Sequence, residues 1–417
     1  MAERVGFDAA DELLATVAWS RVTEPGERAA GAVVGALGAV AALDWLRSGA
    51  EHPPGLAPHP GWRSAAARWR PRLRDLDPRR ELDVMHRLGG SVLLPGGPGW
   101  PPGLDDLGDA APLCLYVLGA PEVADLTVRA VAVVGSRAST GYGETVARDL
   151  CVALAERGVT VVSGGAYGID AAAHRAATVD GGPALAVMAG GLDRLYPVEN
   201  SDLLLRVVEC GAVVSEAPPG TSPMRQRFLA RNRLIAALAQ ATVVVEAAWR
   251  SGALSTARHA AELLRPVGVV PGPVTSMASG GCHRLLREGV ATCVTDVEEV
   301  LELVGGLDHV VPEPDTPRGL LDGLGPQEAR VLDALPARGG AEVDNLVRVC
   351  GLSVTETLAA LGMLAMAGRV ERTGSRWRRT RTGADDGTGT AAGTRAFGGG
   401  PATSTRREGA GRGVRDR

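Results

Sequence analysis

Four arginines and an aromatic ring fall within nine residues in Arg225-Gln226-Arg227-Phe228-Leu229-Ala230-Arg231-Asn232-Arg233. Guanidinium groups fork onto phosphate oxygens, and a phenyl ring offers a face to a nucleobase. This run therefore has the side chains of a contact with single-stranded nucleic acid. Arg227 and Arg231 stand one helical turn apart, as do Phe228 and Asn232. Ser222 before Pro223 reads as the N-cap and first-turn proline of the helix that carries them. A second reading stands beside the first, in which Phe228 anchors the helix in a core and some arginines pair with Glu216 or Glu246.

Three other segments place small residues after apolar runs. Val131-Ala132-Val133-Val134 leads into Gly135-Ser136-Arg137. Glycine allows close backbone approach, amides at the next helix start can hold an anion, and Arg137 adds a two-pronged contact. Ser163-Gly164-Gly165-Ala166-Tyr167-Gly168-Ile169-Asp170 repeats the arrangement, with Asp170 placed to cap amides or hold an arginine. Ser251, Gly252 and Ser255 follow another apolar run and can line the same crevice. The segments lack both the GxGxxG of dinucleotide binding and the GK[ST] of an ATPase loop. No nucleophile–base set or carboxylate pair emerges, and Cys114, Cys151, Cys210, Cys282, Cys293 and Cys350 form no CxxC pair. No catalytic residue, metal or cofactor is expected.

Alternating elements must hold these segments together. Apolar runs recur at 113–118, 131–135, 159–163, 184–188, 212–215, 242–246 and 267–270, many separated by helical patterns. That rhythm implies an α/β fold with a mostly parallel, Rossmann-like sheet covered on both faces. Ligands of such sheets sit beyond the carboxyl ends of the strands, where these loops fall. Before the sheet, helical periodicity at 9–19, 29–46 and 79–88 marks an N-terminal helical domain over 1–90, with 91–112 as a linker. After the core at 113–303 and a second linker at 304–325, residues 326–380 spell helix, helix, helix and basic hairpin, a winged-helix domain. The Gly/Thr/Ala/Arg-rich tail at 381–417 cannot bury a core and is expected to be disordered. The helix at 354–366 holds Glu356 but no arginine. The hairpin carries Arg369, Arg372, Arg376, Arg378 and Arg379, which favours partner binding or nonspecific DNA contact over operator reading.

All the basic residues are arginines, and the net charge is −4, so any nucleic-acid surface must be local. The acids and Arg4 at the start of the chain argue against a signal peptide. The lack of an 18-residue apolar run argues against membrane insertion. A cytoplasmic protein with reduced thiols is expected.

In order along the chain, Val134-Gly135-Ser136-Arg137, the Ser163–Asp170 turn, Gly190-Gly191-Leu192-Asp193-Arg194-Leu195-Tyr196-Pro197, Phe228 to Ile235, Ser251-Gly252-Ala253-Leu254-Ser255-Thr256 and Val270-Pro271-Gly272 resemble the DNA-processing protein A (DprA/Smf) family. The resemblance covers roughly 113–303. It implies an extended Rossmann core, a SAM-like N-terminal domain and a winged helix. It also implies a non-enzymatic homodimer that binds single-stranded DNA and loads a RecA-type recombinase on incoming strands in natural transformation. DNA contacts carry over by motif to Arg137, Arg225, Arg227 and Phe228. His283 stands where the family usually has asparagine. The rival is a nucleotide-processing enzyme resembling lysine-decarboxylase-like phosphoribohydrolases, whose Pro-Gly-Gly-x-Gly-Thr loop this chain lacks.

Overall fold

The computed structural model describes residues 6–305 and 324–380, apart from positions 75, 121, 337 and 338. The expected tail at 381–417 and most of the second linker lie outside the described residues. The chain divides into two compact units, split between Val311 and Pro312.

The first unit opens with five helices: α1 (Glu12–Val22), α2 (Arg28–Leu37), α3 (Ala39–Ser48), α4 (Pro60–Trp69) and α5 (Arg79–Arg87). The Asp11 carboxylate caps α1 by accepting from the Leu14 amide at 2.9 Å. The helix α4 has no counterpart among the sequence expectations, because its buried stripe is mostly alanine. It is held by Trp69, whose ring meets Trp19 and Trp45 edge to face at 5.4 and 6.5 Å.

Nine strands follow in one sheet: β1 (Ser91–Leu93), β2 (Leu115–Gly119), β3 (Ala130–Val134), β4 (Thr160–Ser163), β5 (Ala184–Met188), β6 (Gly211–Ser215), β7 (Ala241–Val244), β8 (Val267–Val269) and β9 (Thr292–Cys293). Their order is β1-β2-β6-β5-β4-β3-β7-β8-β9. The strands from β6 to β9 are parallel, whereas β2 runs antiparallel to β6 and β1 antiparallel to β2. The segment 91–112, expected as a linker, instead supplies β1 and a 3-10 stretch at Pro102–Ala110, with Trp100 buried beside it. A proline- and glycine-rich composition disguised an edge strand there.

The connecting helices are α6 (Val123–Thr127), α7 (Gly141–Glu156), α8 (Ile169–Ala177), α9 (Ser201–Cys210), α10 (Arg225–Ala237), α11 (Ala253–Glu262), α12 (Gly280–Arg287) and α13 (Val297–Val304). The central strands are buried along their whole length, and two apolar clusters fill the two faces of the sheet. From β3 the chain steps outward through β4, β5 and β6, then returns to add β7 on the other side of β3. The β3/β7 boundary is therefore the topological switch point, where loops leave in opposite directions and open a crevice.

The second unit is a winged helix: α14 (Pro326–Ala334), β10 (Ala341–Glu342), α15 (Val343–Cys350), α16 (Val354–Met366), β11 (Val370–Thr373) and β12 (Arg376–Arg379). Ser353 and Glu356 close a capping box at the start of α16. Glu356 is thus committed to its own helix end. The hairpin is less basic than its composition suggests, since Arg378 pairs with Glu371 at 2.8 Å and Arg376 approaches Glu342 at 3.9 Å.

Candidate nucleic-acid interface

A cleft of about 1080 Å³ opens at the switch point, lined by the loop after β3, the first turns of α10, and the loop after β7 leading into α11. That exceeds the ~300–1,000 Å³ usual for a small-molecule pocket. Arg137, Arg225, Arg231, Arg250, Arg258 and Arg284 line it, and Asp170 is the sole carboxylate among the lining residues. Cations gathered in a concave, partly apolar wall reinforce one another's field.

Of the residues singled out from the sequence, Gly135, Ser136, Arg137, Arg225, Phe228, Arg231, Asn232, Ser251 and Gly252 all line this cleft. The guanidinium of Arg137 lies over the Phe228 ring, 4.6 Å from its centroid, and Tyr196 meets the same ring at 6.0 Å and 55°. Phe228 is half-buried and belongs to none of the apolar core clusters. Arg137 and Arg225 are exposed.

Arg231 has a different position, being 5% exposed at the cleft floor. It donates to the Val187 carbonyl at 2.8 Å. Burial pulls its pKa down to about 10, with the Asp170 carboxylate opposing the shift. Burial likewise raises the pKa of Asp170, against the charge of Arg231 and the amides of Ala166, Gly135 and Gly164 that donate to it. Gly164 is required by this contact, because a Cβ there would sit 1.8 Å from an Arg231 nitrogen.

Four expectations are corrected. Arg227 is not in the cleft: it reaches Glu24 of the N-terminal helical region at 2.9 Å and donates to the Ser222 carbonyl at 2.8 Å. Arg233 follows the second reading, in which an arginine pairs with Glu216, at 2.7 Å in a pair that is nearly buried. Ser163, Gly164 and Gly165 form no open anion nest. The Ser163 hydroxyl donates to the Val133 carbonyl, and the Gly164 amide donates to Asp170 at 3.2 Å. The helix start after Gly135-Ser136-Arg137 is also occupied from within. Glu246, buried at the end of β7, accepts from the Thr140 amide at 2.9 Å and the Thr140 hydroxyl at 2.5 Å. Finally, α10 begins at Arg225 with Met224 as N-cap and no side-chain cap, so Ser222 and Pro223 precede the helix.

Arg258 and Arg284 were not singled out from the sequence. Arg258 stands one turn beyond Ser255 on α11, a spacing that was legible once the crevice was located. Arg284 comes from α12, and its guanidinium lies 5.3 Å from the centroid of Trp249. His283, in place of asparagine, engages the Gly272 carbonyl at 3.0 Å. Among the described residues, no group of three or more His, Cys, Asp or Glu could hold a metal ion, and no single helix is long and apolar enough to cross a membrane. Cys114, Cys151, Cys282 and Cys350 are buried, Cys210 is half-buried and Cys293 is exposed.

Fold and cleft together define an extended Rossmann-like protein with an arginine-lined crevice at its switch point and a winged helix after it. The family described as DNA recombination-mediator protein A matches residues 91–305, and the DprA winged helix domain matches 312–375. The chain belongs to the DprA/Smf family. It is 44% identical over 376 residues to the putative DNA processing protein DprA of Mycobacterium tuberculosis (strain H37Rv), spanning 88% of this chain and 94% of that one. The X-ray structure of DNA processing protein A from Streptococcus pneumoniae superposes with a TM-score of 0.56 at 31% identity, covering 69% of this chain and 95% of that one. A structure describing the single-stranded DNA binding mode of DNA processing protein A from Helicobacter pylori is 30% identical, with a TM-score of 0.46, over 51% of this chain and 94% of that one.

Proposed function

We propose that this chain binds single-stranded DNA in the switch-point cleft, without strong sequence preference, and passes the strand to a RecA-type recombinase in transformation or recombination. The observation that carries the reading is the Arg137–Phe228 stack in a cleft that five further arginines line. A base can take the ring face that Arg137 covers while the guanidinium turns to the adjacent phosphate. Stacking is indifferent to base identity, and phosphate contacts carry no sequence information. The polar group best suited to read a base edge, the Asn232 amide, is 8% exposed and donates to the Gly252 carbonyl at 3.2 Å.

The reading is of a binding protein and not an enzyme. Asp170, the carboxylate that lines the cleft, and Glu246 beyond β7 are buried and engaged by backbone amides, which suits structural roles better than proton transfer. The recombinase partner and a homodimeric state are proposed from family membership. The test is binding to single-stranded and blunt duplex oligonucleotides over a salt series, with nuclease and nucleoside-monophosphate hydrolysis controls on the same preparation. Tighter binding to the single strand, weakening with salt as counterions are released, is expected. Equal or tighter duplex binding, or hydrolysis that disappears in a cleft variant, contradicts the reading.

A further inference from the structure

We propose that Trp249 is a second base-stacking platform in the same cleft, so that the bound strand is held by two aromatic rings on two separate walls. This inference rests on the reading that the cleft takes single-stranded DNA.

Phe228 stands on α10, whereas Trp249 stands in the loop between β7 and α11. Trp19, Trp45, Trp69 and Trp100 are all buried, but Trp249 is 57% exposed. An indole left open to water forgoes the burial that usually stabilises so large a ring. Its position is nevertheless fixed. Arg284 of α12 lies over the ring, 5.3 Å from its centroid, and is itself held by Glu288 at 3.2 Å. An arginine over a ring that lines the cleft is the arrangement that Arg137 and the half-buried Phe228 make on the other wall. Arg250, next to Trp249, and Arg258, on the helix that follows, are exposed and line the same cleft. Ring and surrounding guanidiniums thus supply both halves of a nucleotide contact, stacking and phosphate neutralisation.

The experiment uses the full-length chain and thymidine oligonucleotides, with intrinsic tryptophan fluorescence and anisotropy as readouts. Wild type should show fluorescence quenching on binding, because a stacked base quenches the indole. Trp249→Phe should lose the quench while keeping near-normal affinity. Trp249→Ala should lose both, with affinity falling about 5- to 150-fold, and should keep the wild-type salt slope because no charge is removed. Trp249→Phe keeps a ring in place and covers the case in which the alanine variant does not fold. Wild-type affinity in folded Trp249→Ala, or a quench that survives in Trp249→Phe, overturns the proposal. Phe228→Ala, run in parallel, separates the two levels. If it weakens binding and Trp249→Ala does not, the second platform alone fails; if neither does, the cleft itself is misassigned.

Discussion

Replacing Arg137 with alanine should reduce both DNA affinity and its dependence on salt, whereas replacing Arg227 should change neither. The two arginines looked alike in sequence, and their surroundings now separate them. Arg137 is exposed at the cleft with its charge resting on the Phe228 ring, and Arg227 is committed to Glu24 and the Ser222 carbonyl. A hydrogen bond to a charged group contributes about 1.5–3 kcal/mol, and an exposed site favours the lower end, about 1.5 kcal/mol or roughly tenfold in Kd. Each phosphate neutralised on a single strand adds about 0.7 to the slope of log affinity against log salt. Between about 50 and 200 mM salt, the Arg137→Ala protein should therefore lose about 2.6-fold less affinity than wild type. Fluorescence anisotropy of a labelled thymidine oligonucleotide at four or five salt concentrations measures both quantities. Arg227→Ala should instead lower the unfolding free energy slightly, by about 0–1 kcal/mol, as expected for a partly exposed ion pair. Indistinguishable slopes for wild type and Arg137→Ala would refute the assignment of a phosphate to this residue. A reduced slope in Arg227→Ala would show that the Glu24 pair opens to release a DNA contact.

Phe228→Ala should weaken binding by about 1–3 kcal/mol with an unchanged salt slope. Because the ring is half-buried and outside the core clusters, its denaturant melt should shift by clearly less than the ~3–5 kcal/mol of a core phenylalanine; a core-sized loss with normal binding in the folded protein removes the stacking role. Gly164→Ala should destabilise by about 1–3 kcal/mol, because the new methyl displaces a guanidinium that the Val187 carbonyl and burial hold in place; a wild-type melt would show that Arg231 moves freely. His174 is fully buried, and burial lowers its pKa from 6.5 to about 4, against the opposing influence of the Ser163 backbone. Its folded pKa is depressed, so the unfolded chain binds the proton first. The stability contribution of the neutral ring is complete above pH 6.5 and is lost as pH falls towards 4, by up to about 3 kcal/mol. The raised pKa of Asp170 acts in the opposite sense in acid. The difference between wild type and His174→Leu across pH 7 to 4 isolates the histidine, and parallel pH profiles for the two proteins would contradict its assignment.

The seven strands from β2 to β8 were legible because each is a short apolar run, and a strand buried on both faces needs little else, whereas the short edge strands β1 and β9 were not. The winged-helix elements were legible for the same reason: apolar periodicity acts over a few neighbouring residues. The loops containing Gly135-Ser136-Arg137 and Ser251-Gly252 could be located because the end of a strand is a local event. The fate of each charge could not be read this way. Arg227 meets Glu24 from 203 positions away, Arg233 meets Glu216 through the fold of a loop, and Glu246 reaches back 106 positions to close the helix end at Thr140. The order of the strands, which makes β3/β7 the switch point and so creates the cleft, is likewise invisible to periodicity. A guanidinium, a carboxylate and a helix end can satisfy one another only when packing has brought them within a few ångströms. Tertiary structure therefore decided which arginines were left for a ligand.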